Sequence, residues 1–136
     1  MKLSENFSLE EMIASRVANK RNIPNMPTIA AIINLTNLCN DVLQPIRDKF
    51  KRPIIITSGF RSEALNRAVG GNQKSQQLNG EAADIVCEDN YQLWETIVGM
   101  VKNGEINVGQ LINERNLSWI HISLPTSRLK NHILSL

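Results

Sequence analysis

Apolar residues recur at helical spacing in four segments of this chain and at strand spacing in four others. The longest helical signal is TIAAIINLTNLCNDVLQPIRDKF. In it Ile29, Ile32, Ile33, Leu35, Leu38, Cys39, Val42, Leu43, Ile46 and Phe50 fall close to a 3.6-residue stripe. Pro45 is expected to kink this helix near its end, because an interior proline removes a backbone bond. NFSLEEMI reads as an earlier helix start, with Ser8 as N-cap and Glu11 three residues on as the reciprocal partner. That helix should fade over residues 19–25, where the chain turns polar and meets Pro24 and Pro27. RSEALNRAV predicts a short helix ended by Gly70 and Gly71, and NYQLWETIVGMVKNG an amphipathic one with Asn90 as cap and Gly104 as stop. PIIITSGF, β-branched and closed by glycine, reads as a buried strand; AADIVC, GQLINE and SWIHIS read as three more.

The resulting order is helix, helix, strand, helix, strand, helix, strand, strand. It predicts one small α+β domain, a mainly antiparallel sheet with helices packed on it. Residues 1–50 form a helical lead-in, 53–123 the core, and 124–136 a tail without a readable pattern. At 136 residues the chain suits one hydrophobic core. With three Phe, two Trp and one Tyr, that core must be built from Ile, Leu, Val and Ala.

Apolar residues make up 42% and charged residues 21%, a balance that argues against disorder. A net charge of +2, with both signs mixed along the chain, offers no basic face for nucleic acid. No run is long and apolar enough to span a bilayer, so no membrane insertion is expected. MKLSENFSLEEMIASR has no apolar stretch of signal-peptide length. Synthesis in the cytoplasm is therefore expected, with some other exit route if the protein acts outside. A monomer is expected. Cys39 and Cys87 have no CxxC partner and read as free thiols.

Strand alternation sorts the polar residues. In AADIVC, Asp84 and Val86 share one face, and Ala83, Ile85 and Cys87 the other. In SWIHISL, Trp119, His121 and Ser123 share a face, with Ile120 and Ile122 turned towards the helices. Should these strands be neighbours, Asp84 meets His121. Such a pair is either a hydrogen-bonded structural couple or two ligands of one divalent metal. By the same alternation Cys87 faces away from Asp84 and is a poor third ligand.

The motifs TSGFRSEALNRAVGG, then S-x-x-x-x-G-E-A-A-D, then WIHIS resemble those of a zinc peptidase family. It includes D-alanyl-D-alanine carboxypeptidases and phage endolysin peptidases, with relatives in the hedgehog signalling domain. The likeness spans residues 6–123 and implies that fold. It also implies zinc as cofactor and peptidoglycan stem peptides as substrate, cut at an amide beside a D-amino acid. Asp84 matches the carboxylate ligand, and His121 the last histidine ligand. Arg61 matches the arginine beside the substrate, where a planar guanidinium grips a carboxylate or carbonyl. The alternative for Arg61 is a surface pair with Glu63. Ser75 matches the serine ahead of the first ligand, and Gly80 and Ala82 the small residues of the loop and strand. Asn66, Gly70 and Gly71 are expected to shape the rim, and Trp119 to wall the cleft.

Three positions depart from the family pattern. Gln77 stands where the first histidine ligand is expected, and its amide oxygen is a neutral donor without the imidazole nitrogen that binds zinc at about 2.0–2.1 Å. Ser118 stands where relatives carry an acid three residues before the last histidine, which leaves Glu114 as the candidate base for proton transfer. Gly109 opens a GQLI run that relatives often write D-Q-L-I. Asn79 and His132 offer no evident replacement ligand. Three readings stay open: a zinc peptidase acting on cell-wall peptides, a degenerate member that binds such peptides without cutting, and a structural domain such as one in a phage particle. In the last, Asp84 and His121 are a plain hydrogen-bonded pair.

Overall fold

The Ser8 side chain accepts from the Glu11 amide while Glu11 reaches back to the Ser8 amide, and this reciprocal box starts α1 (Leu9–Ile13). Ser15 caps α2 (Arg16–Arg21), which stops at Asn22 in the left-handed conformation. The computed structural model describes residues 1–136. The long apolar stripe forms α3 (Ile29–Leu38), a π turn (Cys39–Leu43) and α4 (Gln44–Phe50). Pro45 therefore sits in the first turn of a renewed helix rather than kinking a continuous one. The widened turn, closed by Gln44 N–H on the Cys39 carbonyl, makes room for a ring that would clash with the carbonyl four residues back.

Strands β1 (Ile55–Ser58), β2 (Ala82–Val86), β3 (Gln110–Glu114), β4 (Trp119–Ser123) and β5 (His132–Ser135) form one sheet in the order β1-β2-β4-β3-β5. All neighbouring pairs are antiparallel except β3 with β5. The parallel β5 lies in the tail, which gave no strand signal: His132, Ile133, Leu134 and Ser135 carry no clear alternation, and backbone pairing to β3 holds them. Between β1 and β2 lies α5 (Glu63–Ala68), capped by Ser62, and α6 (Asn90–Lys102) joins β2 to β3. Asp89, not Asn90, caps α6. The Asn90 side chain instead accepts from the Cys87 amide and donates to the Leu117 carbonyl.

The core forms where one sheet face meets the helices. Ala83, Ile85, Leu111, Ile120 and Ile122 from the strands pack with Leu35, Leu38, Val42, Leu43, Ile46, Leu93 and Ile97 from the helices. Two parts of the expected core lie outside it. Ile29 and Ile33, in the opening turns of α3, are 79% and 55% exposed, because only the later turns reach the sheet. β1 is an edge strand rather than a buried one, with Ile55 57% exposed.

The β3–β4 hairpin turns through Arg115, Asn116 and Leu117, all with positive φ, and the Asn113 side chain accepts from the Leu117 amide. No helix is long and apolar enough to cross a membrane.

Candidate functional site

The sheet face away from the core carries a single row of residues set by strand register. Ser58 lies opposite Asp84, Asp84 opposite His121, and His121 opposite Ile112. The neighbours of this row, Ile85 and Ile120, point the other way into the core. A bulge in β1 contributes to the alignment. Ile56 faces Ile85 but Ser58 faces Asp84, so Thr57 is the extra residue, and its hydroxyl donates to the Asp84 carbonyl at 3.2 Å.

Asp84 is the centre of the polar contacts. Its Oδ1 lies 2.9 Å from His121 Nδ1, and its Oδ2 3.8 Å from the Arg61 guanidinium, with all three side chains largely shielded from solvent. Arg61 turns inward to Asp84 rather than outward to Glu63. Its Nε donates to Ser58 Oγ at 3.2 Å and its Nη1 to Asn66 Oδ1 at 3.3 Å. Asn66 is buried and donates in turn to the Asn72 carbonyl. Gly71 makes this packing possible, since a Cβ there would stand 2.1 Å from Asn66 Oδ1 and 2.9 Å from Arg61 Nη1. Asn66 and Gly71 thus support the arginine from behind, and Gly70 turns the chain at φ +72.

Gln77 sits on the 3-10 turn Gln76–Asn79, whose start is capped by the Ser75 side chain. It is buried, and its Nε2 donates to Gly59 O and Ser58 Oγ at 2.9 Å, with Ser58 O at 3.2 Å. Carbonyl oxygens only accept, so these contacts fix the amide with its NH2 end towards β1 and its oxygen turned away. The glutamine reaches the Asp84–His121 row through Ser58, and the Arg61 amide donates to its backbone carbonyl at 3.1 Å. Ser58 joins Gln77 to Arg61 and stands beside Asp84, a role the sequence reading did not assign. Its place inside T-S-G-F-R, directly before the strand-closing glycine, was the available signal.

His121 and Glu114 line one cleft of about 310 Å³, with Lys74, Ser75, Gln110 and Ile112 among its other walls. Nδ1 of His121 is held by Asp84, and its Nε2 has no hydrogen-bond partner. Trp119 is outside this lining. It lies opposite Glu114 on the β3–β4 hairpin, with the Arg115 guanidinium 5.5 Å from its ring centre. Arg61 borders a separate, larger cleft of about 570 Å³ along β1.

The remaining positions are accounted for. A Cβ on Gly109 would stand 2.3 Å from the Leu124 carbonyl, so this backbone has no room for the acid of a D-Q-L-I run. Gly80 takes φ +75, and a Cβ there would stand 2.5 Å from the Ala31 carbonyl, so glycine lets the 3-10 turn sit on α3. Ala82, fully buried, starts β2 opposite Ser123. Asn79 bonds Glu81, and exposed His132 pairs along β3 at the far side of the sheet. Cys87 accepts from the Asp89 amide on the α6 side. Nowhere do three His, Cys, Asp or Glu side chains gather as a metal would require.

Among curated proteins, none matches the sequence. The family model for Peptidase M15 matches residues 5–123, the whole span from the first helix to the end of β4. With the motif row, the sheet and the match in agreement, the chain belongs to the Peptidase M15 family.

Proposed function

We propose that this domain binds peptidoglycan stem peptides in the cleft beside His121 and does not cut them by metal-dependent hydrolysis. The family is in general zinc-dependent, but the residues of this chain do not fit the ion. One carboxylate and one imidazole remain, already bonded to each other. The third position is a neutral amide whose donor end is committed to Ser58 and Gly59. That commitment of Gln77 is the observation that carries the reading. A zinc site wants three anionic or imidazole donors around an open position, and here the third is lacking.

What remains suits recognition. The cleft offers a cation at Lys74, an acid at Glu114, the free ring nitrogen of His121 and the amide of Gln110. A peptide with alternating charges and amide groups finds complementary partners there. The family supplies the class of ligand, a cell-wall peptide, and the cleft supplies the means of holding it.

The test uses a synthetic stem peptide ending in D-alanyl-D-alanine, with and without added zinc. Two-dimensional NMR of the 15N-labelled protein should shift the amides of His121, Gln110 and Glu114, while mass spectrometry finds the peptide intact. Stoichiometric zinc with peptide hydrolysis would instead establish a catalyst, with Glu114 as the proton carrier and Arg61 as the substrate clamp. No binding in either condition would leave Asp84 and His121 a structural pair.

A further inference from the structure

A cleft of about 570 Å³ lies apart from the one beside His121. It runs along β1 and is lined by Ala14, Ser15, Arg16 and Val17 on one side and by Arg61, Leu65 and Val69 on another, with the whole of β1 as its third wall. Three observations give this cleft a shape and a charge.

First, β1 is paired on one edge only. Its ladder runs to β2, and no other backbone hydrogen bond engages residues 54–57. The opposite edge therefore presents a strand's alternate N–H and C=O groups without partners, an arrangement that accepts another strand.

Second, the segment across the cleft is extended as well. Ala14 has φ −65 and ψ 138, and Ser15 has φ −154 and ψ 123, where the chain passes between α1 and α2. No hydrogen bond joins this segment to β1. Two extended stretches thus border a gap, and Ile55, Val17, Leu65 and Val69 give it apolar contacts.

Third, the lining includes two arginines and no acid. Arg16 is exposed. Arg61 spends two of its five N–H donors, on Ser58 and Asn66, and stands 3.8 Å from Asp84 as an ion pair, which leaves donors for a ligand.

We propose that this cleft takes an extended acidic peptide, added as a further strand to the free edge of β1, with its carboxylates on Arg16 and Arg61. Main-chain bonds to β1 supply affinity, alternate apolar side chains meet Ile55, Leu65 and Val69, and the arginine pair selects negative charge. This site is separate from the cleft beside His121 and does not depend on the cell-wall reading. The two clefts have no lining residue in common.

The experiment titrates the 15N-labelled protein with acetyl-Glu-Val-Thr-Val-Glu-amide. The expected result is saturable shifts in the amides of Ile55, Ile56 and Thr57 and of Ala14 to Val17, with those of His121 and Gln110 unmoved. Lysine in place of both glutamates should weaken binding at least tenfold, and so should Arg16→Glu, an exposed change that leaves the unfolding midpoint in place. Two further peptides carry backbone N-methyl groups at odd or at even positions. One should lose binding and the other keep it, because only alternate amides of an added strand face β1. Equal behaviour of the two N-methylated peptides overturns the proposal, as does the absence of shifts along β1 at millimolar peptide. A concentration-dependent dimer that buries β1 without peptide would also overturn it, by assigning the edge to a second copy of the chain.

Discussion

Asp84 stands directly across the β2–β4 ladder from His121 and holds its Nδ1 at 2.9 Å, with no third acidic, imidazole or thiol side chain beside them. An ionised carboxylate only accepts hydrogen bonds, so the neutral imidazole must carry its proton on Nδ1 and leave Nε2 bare towards the cleft.

Nitrogen-15 spectra of the neutral imidazole should therefore show His121 in the Nδ1–H tautomer. Asp84→Asn, which can offer an NH2 group in the carboxylate's place, should shift the tautomer balance towards Nε2–H without unfolding the sheet. An Nε2–H tautomer in the unaltered protein would mean that Asp84 does not orient the ring.

Gln77→His should restore the missing donor. Zinc affinity, followed by competition with a chromophoric chelator, is expected to rise on the order of 100-fold over the unaltered protein. Equal affinity in the two would show that the lost donor is not what separates this site from zinc.

Gly59→Ala tests the tight end of β1. A Cβ at Gly59 would lie 2.2 Å from the Met12 carbonyl, the group that accepts from the Phe60 amide. Relieving that clash means moving α1 or β1, at a cost of roughly 1–3 kcal/mol. A lowered urea midpoint with unchanged slope is the expected result. No change would mean that the contact between α1 and the strand end is loose in solution.

Burial pushes the Cys39 thiol up to about 12 from an ordinary value of 9.0, with the nearby Glu11 charge adding to the effect. Cys87 is raised as well, chiefly by burial, and its surroundings are more open. Alkylation at pH 8 should label Cys87 first and Cys39 only on unfolding. Between pH 9 and about 12 the unfolded chain releases the Cys39 proton while the folded chain keeps it. Cys39 should therefore make stability fall as pH rises through that window, by up to about 1.4 kcal/mol per pH unit. Cys39→Val should lose this part of the alkaline slope in urea titrations.

Much of the fold and the site geometry was legible in the residues because both rest on short-range rules. The capping box at Ser8 is local, and strand alternation puts Asp84 and His121 on one face once β2 and β4 are neighbours, as the register shows. What escaped depended on neighbours. The hydrophobicity of Ile55 and Ile29 cannot reveal that β1 is an edge or that α3 begins beyond the sheet. The β5 strand is held by backbone pairing, which leaves little trace in its side chains. The register of Ser58 came from a bulge, and the inward turn of Arg61 from contacts with Ser58, Asn66 and Asp84, none of which a residue pattern announces.

The regular β2–β4 ladder also separates two kinds of change. Ile85 and Ile120 fix the strands from the core side, and the same alternation aims Asp84 and His121 outward whatever occupies position 77. A substitution at position 77 therefore leaves the register of Asp84 and His121 intact. Any side chain placed at position 77 meets the same carboxylate–imidazole pair, held by the strands rather than by itself.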